Sequence, residues 1–142
     1  MFNNIERLEL DNAEFDENEL NYKIHLPKLE FIAVKKLSYL NLFTGLTSLI
    51  SIMIDELDGI DNIETIIDPT KITYLRVEKR VTADPKFLSL FLNLRELRIR
   101  DNCERIDFEL FLPQMKALTD LKIGFSSSCS PNFVSNIYSH CR

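Results

Sequence analysis

The chain has 142 residues, 45% of them hydrophobic and 27% charged, with a formal net charge of −5. That balance describes a globular chain able to bury one core, and it excludes a disordered or low-complexity polypeptide. No apolar run reaches the roughly 18–20 residues a membrane-spanning helix needs, so no membrane partner is expected.

The first element is announced by Ile5, Leu8 and Leu10, which hold relative positions 1, 4 and 6 of a short frame. Positions 4 and 6 alternate with polar residues, the period of a strand with one buried face. The polar stretch DNAEFDENELNYK (11–23) follows as a connection. The frame returns at Leu26/Leu29/Phe31, Leu49/Ile52/Ile54, Ile72/Leu75/Val77, Leu94/Leu97/Ile99 and Leu118/Leu121/Ile123, each start 21 to 24 residues after the last. One strand and one return segment cannot bury an apolar face alone, so units at such a period stack their strands side by side.

The return segments carry helix signals of their own. GIDNIETII (59–67) reads as a turn or two of helix. DPKFLSLFLNL (84–94) opens with Asp84 as N-cap and Pro85 at the first helical position. DFELFLPQMKAL (107–118) reads as a short helix broken near Pro113, and SPNFVSNIYSHC (130–141) as a C-terminal capping helix over about 130–140.

The copies LRELRIRDN (94–102) and IERLELDNA (5–13) carry a pattern that resembles the leucine-rich repeat, L-x-x-L-x-L-x-x-N/C-x-L. The resemblance covers residues 5 to 126 or so, although position 9 reads Ala13, Val34, Leu57, Arg80, Asn102 and Ser126, with the family's Asn once. The expected fold is therefore an α/β, right-handed leucine-rich-repeat solenoid of about six repeats starting near 5, 26, 49, 72, 94 and 118, a single domain over 1–142 with a parallel sheet on its concave face. Such irregular repeats are similar to the substrate-recognition portions of F-box/leucine-rich-repeat proteins, subunits of ubiquitin ligases. Family members cover their first coil, whereas here the first frame begins at Ile5. The expectation is that a preceding segment, a partner or second copy, or the 11–23 stretch folding back covers that edge.

Chemistry-bearing constellations are sparse. His25 and His140 belong to no triad or dyad pattern, and Gly45, Gly59 and Gly124 form no phosphate loop. Cys103, Cys129 and Cys141 include no C-x-x-C pair and cannot all pair within one chain, which points to an intracellular, reducing setting. No cofactor, metal or catalytic site is expected.

The outward strand positions say more. At position 5 the column reads Glu9, Glu30, Met53, Arg76, Arg98, Lys122; at position 3, Arg7, Lys28, Ser51, Tyr74, Glu96, Asp120; at position 7, Asp11, Ile32, Asp55, Glu78, Arg100, Gly124. Residues 1–70 carry −9 and residues 71–142 carry +4, so the central column passes from acidic to basic. Met53, Tyr74, Arg76, Arg98, Arg100 and Lys122 are the expected partner-binding residues, for a protein or an acidic or phosphorylated peptide. Against this stands pairing of the same cations with Glu78, Glu96, Asp101 and Asp120, which would merely solvate the face. A nucleic-acid or phosphate-binding module using Arg76, Arg98, Arg100 and Lys122 is the second reading, disfavoured by the overall negative charge. Self-association through the N-terminal edge is the third.

Overall fold

A computed structural model of the chain describes residues 2–16, 18–100 and 112–124. The C-terminal helix expected over 130–140, the three cysteines, Asp101 and Asn102 lie outside the described residues. Six strands form one parallel sheet in chain order: β1 (Arg7–Glu9), β3 (Phe31–Lys36), β5 (Ser51–Leu57), β6 (Tyr74–Val81), β7 (Glu96–Ile99) and β8 (Asp120–Ile123). Two further strands, β2 (Ile24–His25) and β4 (Phe43–Thr44), pair in parallel as a second, two-stranded sheet that the apolar pattern had not marked. Gly45 turns the chain out of β4 at φ +70°, and a side chain there would run into the His25 ring, which gives that histidine a packing role.

The buried face is the one the alternation specifies. Ile52, Ile54, Leu75, Val77, Leu97 and Ile99 are sealed from solvent in one hydrophobic cluster with Leu29, Leu49, Ile72 and Leu94. The sheet register aligns Ile32, Ile52, Leu75, Leu97 and Leu121 as one continuous row of cross-strand partners, with Leu8 at its start.

Leu8 pairs with Ile32, and this corrects the second frame. Its strand uses Leu29/Ile32/Val34, three residues beyond Leu26/Leu29/Phe31. Both triplets satisfy the apolar spacing, and the run Phe31–Val34 is the one with strand-forming residues opposite both neighbours. Leu26 is buried all the same, packed just past β2 on the other side of the core. The correction removes Lys28, Glu30 and Ile32 from the outward columns and puts Phe31, Ala33 and Lys35 in their places.

The scarcity of Asn at position 9 also finds a physical account. Three strands run past the frame, and the slots beyond it hold Leu37, Leu57 and Val81, all buried. A bulge in β6 inserts one residue between Val77 and Arg80, so Val81, and not Arg80, lies opposite Leu57. Past the bulge the two strands stay tied: Leu57 O accepts from Thr82 N at 2.9 Å and Ala83 N at 3.0 Å.

Among the described residues the return segments are 3-10 turns and not α-helices. They cover Glu19–Asn21, Leu37–Leu42, Ile63–Thr65, Pro69–Lys71, Pro85–Leu90 and Leu112–Gln114. A 3-10 turn advances about 2.0 Å per residue against about 1.5 Å for an α-helix, so it spans the width of the core in fewer residues. Asp84 caps its segment as expected, accepting from Lys86 N at 2.9 Å, and Asp68 does the same for Thr70 N at 3.0 Å. Of the helix expected over 107–118, residues 107–111 lie outside the described residues; the rest holds the 3-10 turn Leu112–Gln114, which contains Pro113 and ends one residue after it. No helix among the described residues is long and apolar enough to cross a membrane.

Candidate functional site

Side chains on the strand positions between the buried ones line the other face of the sheet. Register brings Met53, Arg76, Arg98 and Lys122 into one row, each the direct cross-strand partner of the next. Neighbouring strands lie about 4.8 Å apart, so the three cations span about 10 Å. Tyr74 pairs with Glu96 in the adjacent row, its ring centroid 5.9 Å from Arg98 Cζ. Five of the six residues expected from the sequence therefore fall on one face, and Arg100, one residue past β7, reaches them through its contact with Glu78. On its other flank the row continues through Ala33 to Glu9, and in the adjacent row Phe31 pairs with Ser51, which separates it from Tyr74. Phe31, Ala33, Met53 and Tyr74 thus make an apolar approach to the basic strip. The frame Leu26/Leu29/Phe31 turns Phe31 inward and leaves Ala33 outside its columns; the strand propensity of FIAVKK is the sequence signal that points to them.

The strip is not a bare cation row. Arg98 Nε donates to Glu96, and this bond holds the guanidinium's pKa above its ordinary value. Lys122 Nζ sits 2.9 Å from Asp120 and 3.7 Å from Glu96. Glu78 lies between two guanidiniums, with Arg76 against Oε1 and Arg100 Nη1 3.1 Å from Oε2. Oε1 of Glu78 is shut off from solvent and finds no hydrogen-bond geometry among the described residues, so the ionic contact with Arg76 is what compensates it. Arg76 and Arg98 are about one-third exposed or less at the side chain, whereas Arg100 and Lys122 are more than half exposed. Arg100 and Lys122 line a depression of about 470 Å³ together with Arg76, Arg98 and Gly124.

Further ion pairs tie the same strands elsewhere. Lys79 Nζ to Asp55 Oδ2 and Arg80 Nη2 to Glu56 Oε1 are each 2.6 Å, and Lys35 pairs with Glu14. Glu56 is the one charged residue counted as buried among those described. Its partner Arg80 reaches it because the β6 bulge sets the two directly opposite.

Among the described residues no group of three or more His, Cys, Asp or Glu is placed to hold a metal ion. Among the described residues the outward sheet face presents charged and apolar side chains in register. No protein-family model matches the chain, and neither a curated protein nor a solved structure matches it.

Proposed function

We propose that the protein is a non-catalytic protein-interaction module. In this reading it is a right-handed solenoid of about six leucine-rich-repeat-like coils, and its outward sheet face takes an acidic or phosphorylated segment of a protein partner. The in-order parallel strands and the advance of twenty-odd residues per strand support the solenoid. The β2–β4 pair is parallel as well. The single observation that carries the binding site is the in-register row Met53–Arg76–Arg98–Lys122 flanked by Tyr74 and Arg100.

The carboxylates woven through the strip shape what it can bind. Exposed ion pairs contribute little, roughly 0–1 kcal/mol each, so opening the contacts of Arg100 and Lys122 costs little. A phosphate brings close to two negative charges and accepts bidentate bonds from guanidinium, which outweighs a single carboxylate at the same site. A long polyanion gains less, because Glu78, Glu96 and Asp120 repel its uncompensated phosphates. That counts against nucleic acid. Substrate capture for a ubiquitin ligase is the form of this function that the repeat resemblance suggests.

The test is a titration of acidic and phosphorylated peptides against the wild type and against Arg98→Glu with Lys122→Glu. The double reversal is expected to weaken a phosphopeptide at least about tenfold, by replacing two attractions with two repulsions, while circular dichroism stays unchanged. Equal binding by the folded variant would reject the strip as the site. Tighter binding of RNA or DNA than of any peptide, lost steeply with salt, would favour the nucleic-acid reading instead.

A further inference from the structure

β1 is an edge strand, and its unpaired side has a definite pattern. Leu10 N donates to Ala33 O, and Glu6 O accepts from Glu30 N and Phe31 N, so Glu6 and Leu10 turn their backbone groups toward β3. Backbone direction alternates along a strand, which leaves the N–H and C=O of Arg7 and Glu9 directed outward, away from the sheet. Their side chains stand on the outward face, 63% and 40% exposed, with Arg7 stacked 3.8 Å over the Phe31 ring.

Behind this edge the core is open. A cavity of about 420 Å³ lies between β1 and the β2–β4 layer, walled by Ile5, Leu8, Leu26 and Phe43, with Glu19 its one charged lining residue. Phe2, Tyr22 and Ile24 also line it, exposed at 59%, 75% and 40%; they are three of the five large hydrophobics exposed among the described residues. The 11–23 stretch forms part of its wall through Phe15, Glu19 and Tyr22. That segment runs as the return of the first strand and docks Phe15 edge-on against Tyr39, with ring centroids 5.0 Å apart.

We infer that this end is the interface of a twofold homodimer, in which β1 pairs antiparallel with β1 of a second copy about Leu8. The occupant follows from charge and backbone pattern together. In an antiparallel self-pair centred on Leu8, Arg7 lies opposite Glu9 of the second copy and Glu9 opposite its Arg7. These are also the two residues whose N–H and C=O point outward, so each becomes a hydrogen-bonded pair and four backbone bonds form. Arg7 and Glu9, 2.6 Å apart within one chain, exchange partners across the axis. Leu8 meets Leu8 on the inner side, and the two apolar openings face each other, covering both copies at once. Such an isologous contact closes on itself.

The experiment is sedimentation equilibrium of the full chain over a range of concentrations, with circular dichroism to verify folding. The wild type is expected to reach twice the monomer mass and no more. Arg7→Glu alone and Glu9→Arg alone each place like charges opposite one another twice, and each should weaken dimerisation roughly tenfold or more. Two results are specific to the twofold pairing. The double reversal Arg7→Glu with Glu9→Arg should recover the wild-type dimer, and an equimolar mixture of the two single variants should form mixed dimers. A wild type that is monomeric throughout overturns the proposal. So does a mass that keeps growing with concentration, which indicates head-to-tail stacking of β1 on β8, where the double reversal would not rescue. Dimers indifferent to all of these changes place the interface elsewhere and also overturn it.

Discussion

The middle of the sheet and its first strand are built on the same apolar frame, yet they differ in burial. In β5 and β6 the inward residues Ile52, Leu75 and Val77 are fully excluded from solvent. In and around β1, Ile5, Leu8 and Leu10 are only partly covered and border an open cavity. The side chains are alike; the number of neighbouring strands is not. A central strand is sealed on both flanks, and an edge strand has apolar surface that awaits a neighbour.

The comparison is most sharply tested by deleting equivalent leucines. Leu75→Ala is expected to cost about 3–4 kcal/mol in chemical denaturation, transfer and cavity terms combined. At protein concentrations low enough to keep the chain monomeric, Leu8→Ala should cost under half as much, because part of that side chain is then solvated already and the site can collapse. Equal losses would mean that the first strand is as well packed as the middle.

A smaller effect is expected on the charged face. Arg80→Ala leaves the nearly buried Glu56 carboxylate without the guanidinium 2.6 Å away, and should destabilise by roughly 1–2 kcal/mol. Arg100→Ala removes a mostly exposed pair and should change stability by under about 0.5 kcal/mol. Measured side by side, the two separate ion pairs that hold the sheet from those available to a partner.

The smallest effect contrasts sheet with return segments. Asp68 caps the Pro69–Lys71 turn, and bonds from the Thr70 hydroxyl and N–H hold its carboxyl below the ordinary value of 3.8. A lowered folded-state pKa contributes stability that is complete above the unfolded value and is lost as the pH falls through the folded one. Asp68→Asn should therefore sit slightly below wild type in urea midpoint at neutral pH, and the gap should close in acid. A gap that persists in acid would show that the cap acts by geometry and not by charge.

Much of this architecture was legible in the residues. The alternation at Ile52/Ile54, Leu75/Val77 and Leu97/Ile99 identified the strands and their buried faces, because side chains on a strand must point to opposite sides. Asp84 and Pro85 announced their turn, because a carboxylate before a proline satisfies amides that a helical start leaves free. The row Met53–Arg76–Arg98–Lys122 followed from counting within the frame. The second frame did not follow, since Leu26/Leu29/Phe31 and Leu29/Ile32/Val34 obey the same spacing and equal intervals favoured the wrong one. Nor did the β2–β4 pair, two residues on each side, too short for any period to register.

What the sequence by itself determined is local: which residues alternate, which cap, and the interval at which the pattern recurs, all set by backbone geometry within one segment. Register between strands, the bulge that brings Arg80 to Glu56, the pairing of each cation with a carboxylate and the opening beside β1 were decided by tertiary structure. These depend on which residues stand opposite one another across a gap of about 4.8 Å, and on whether a neighbouring strand exists at all.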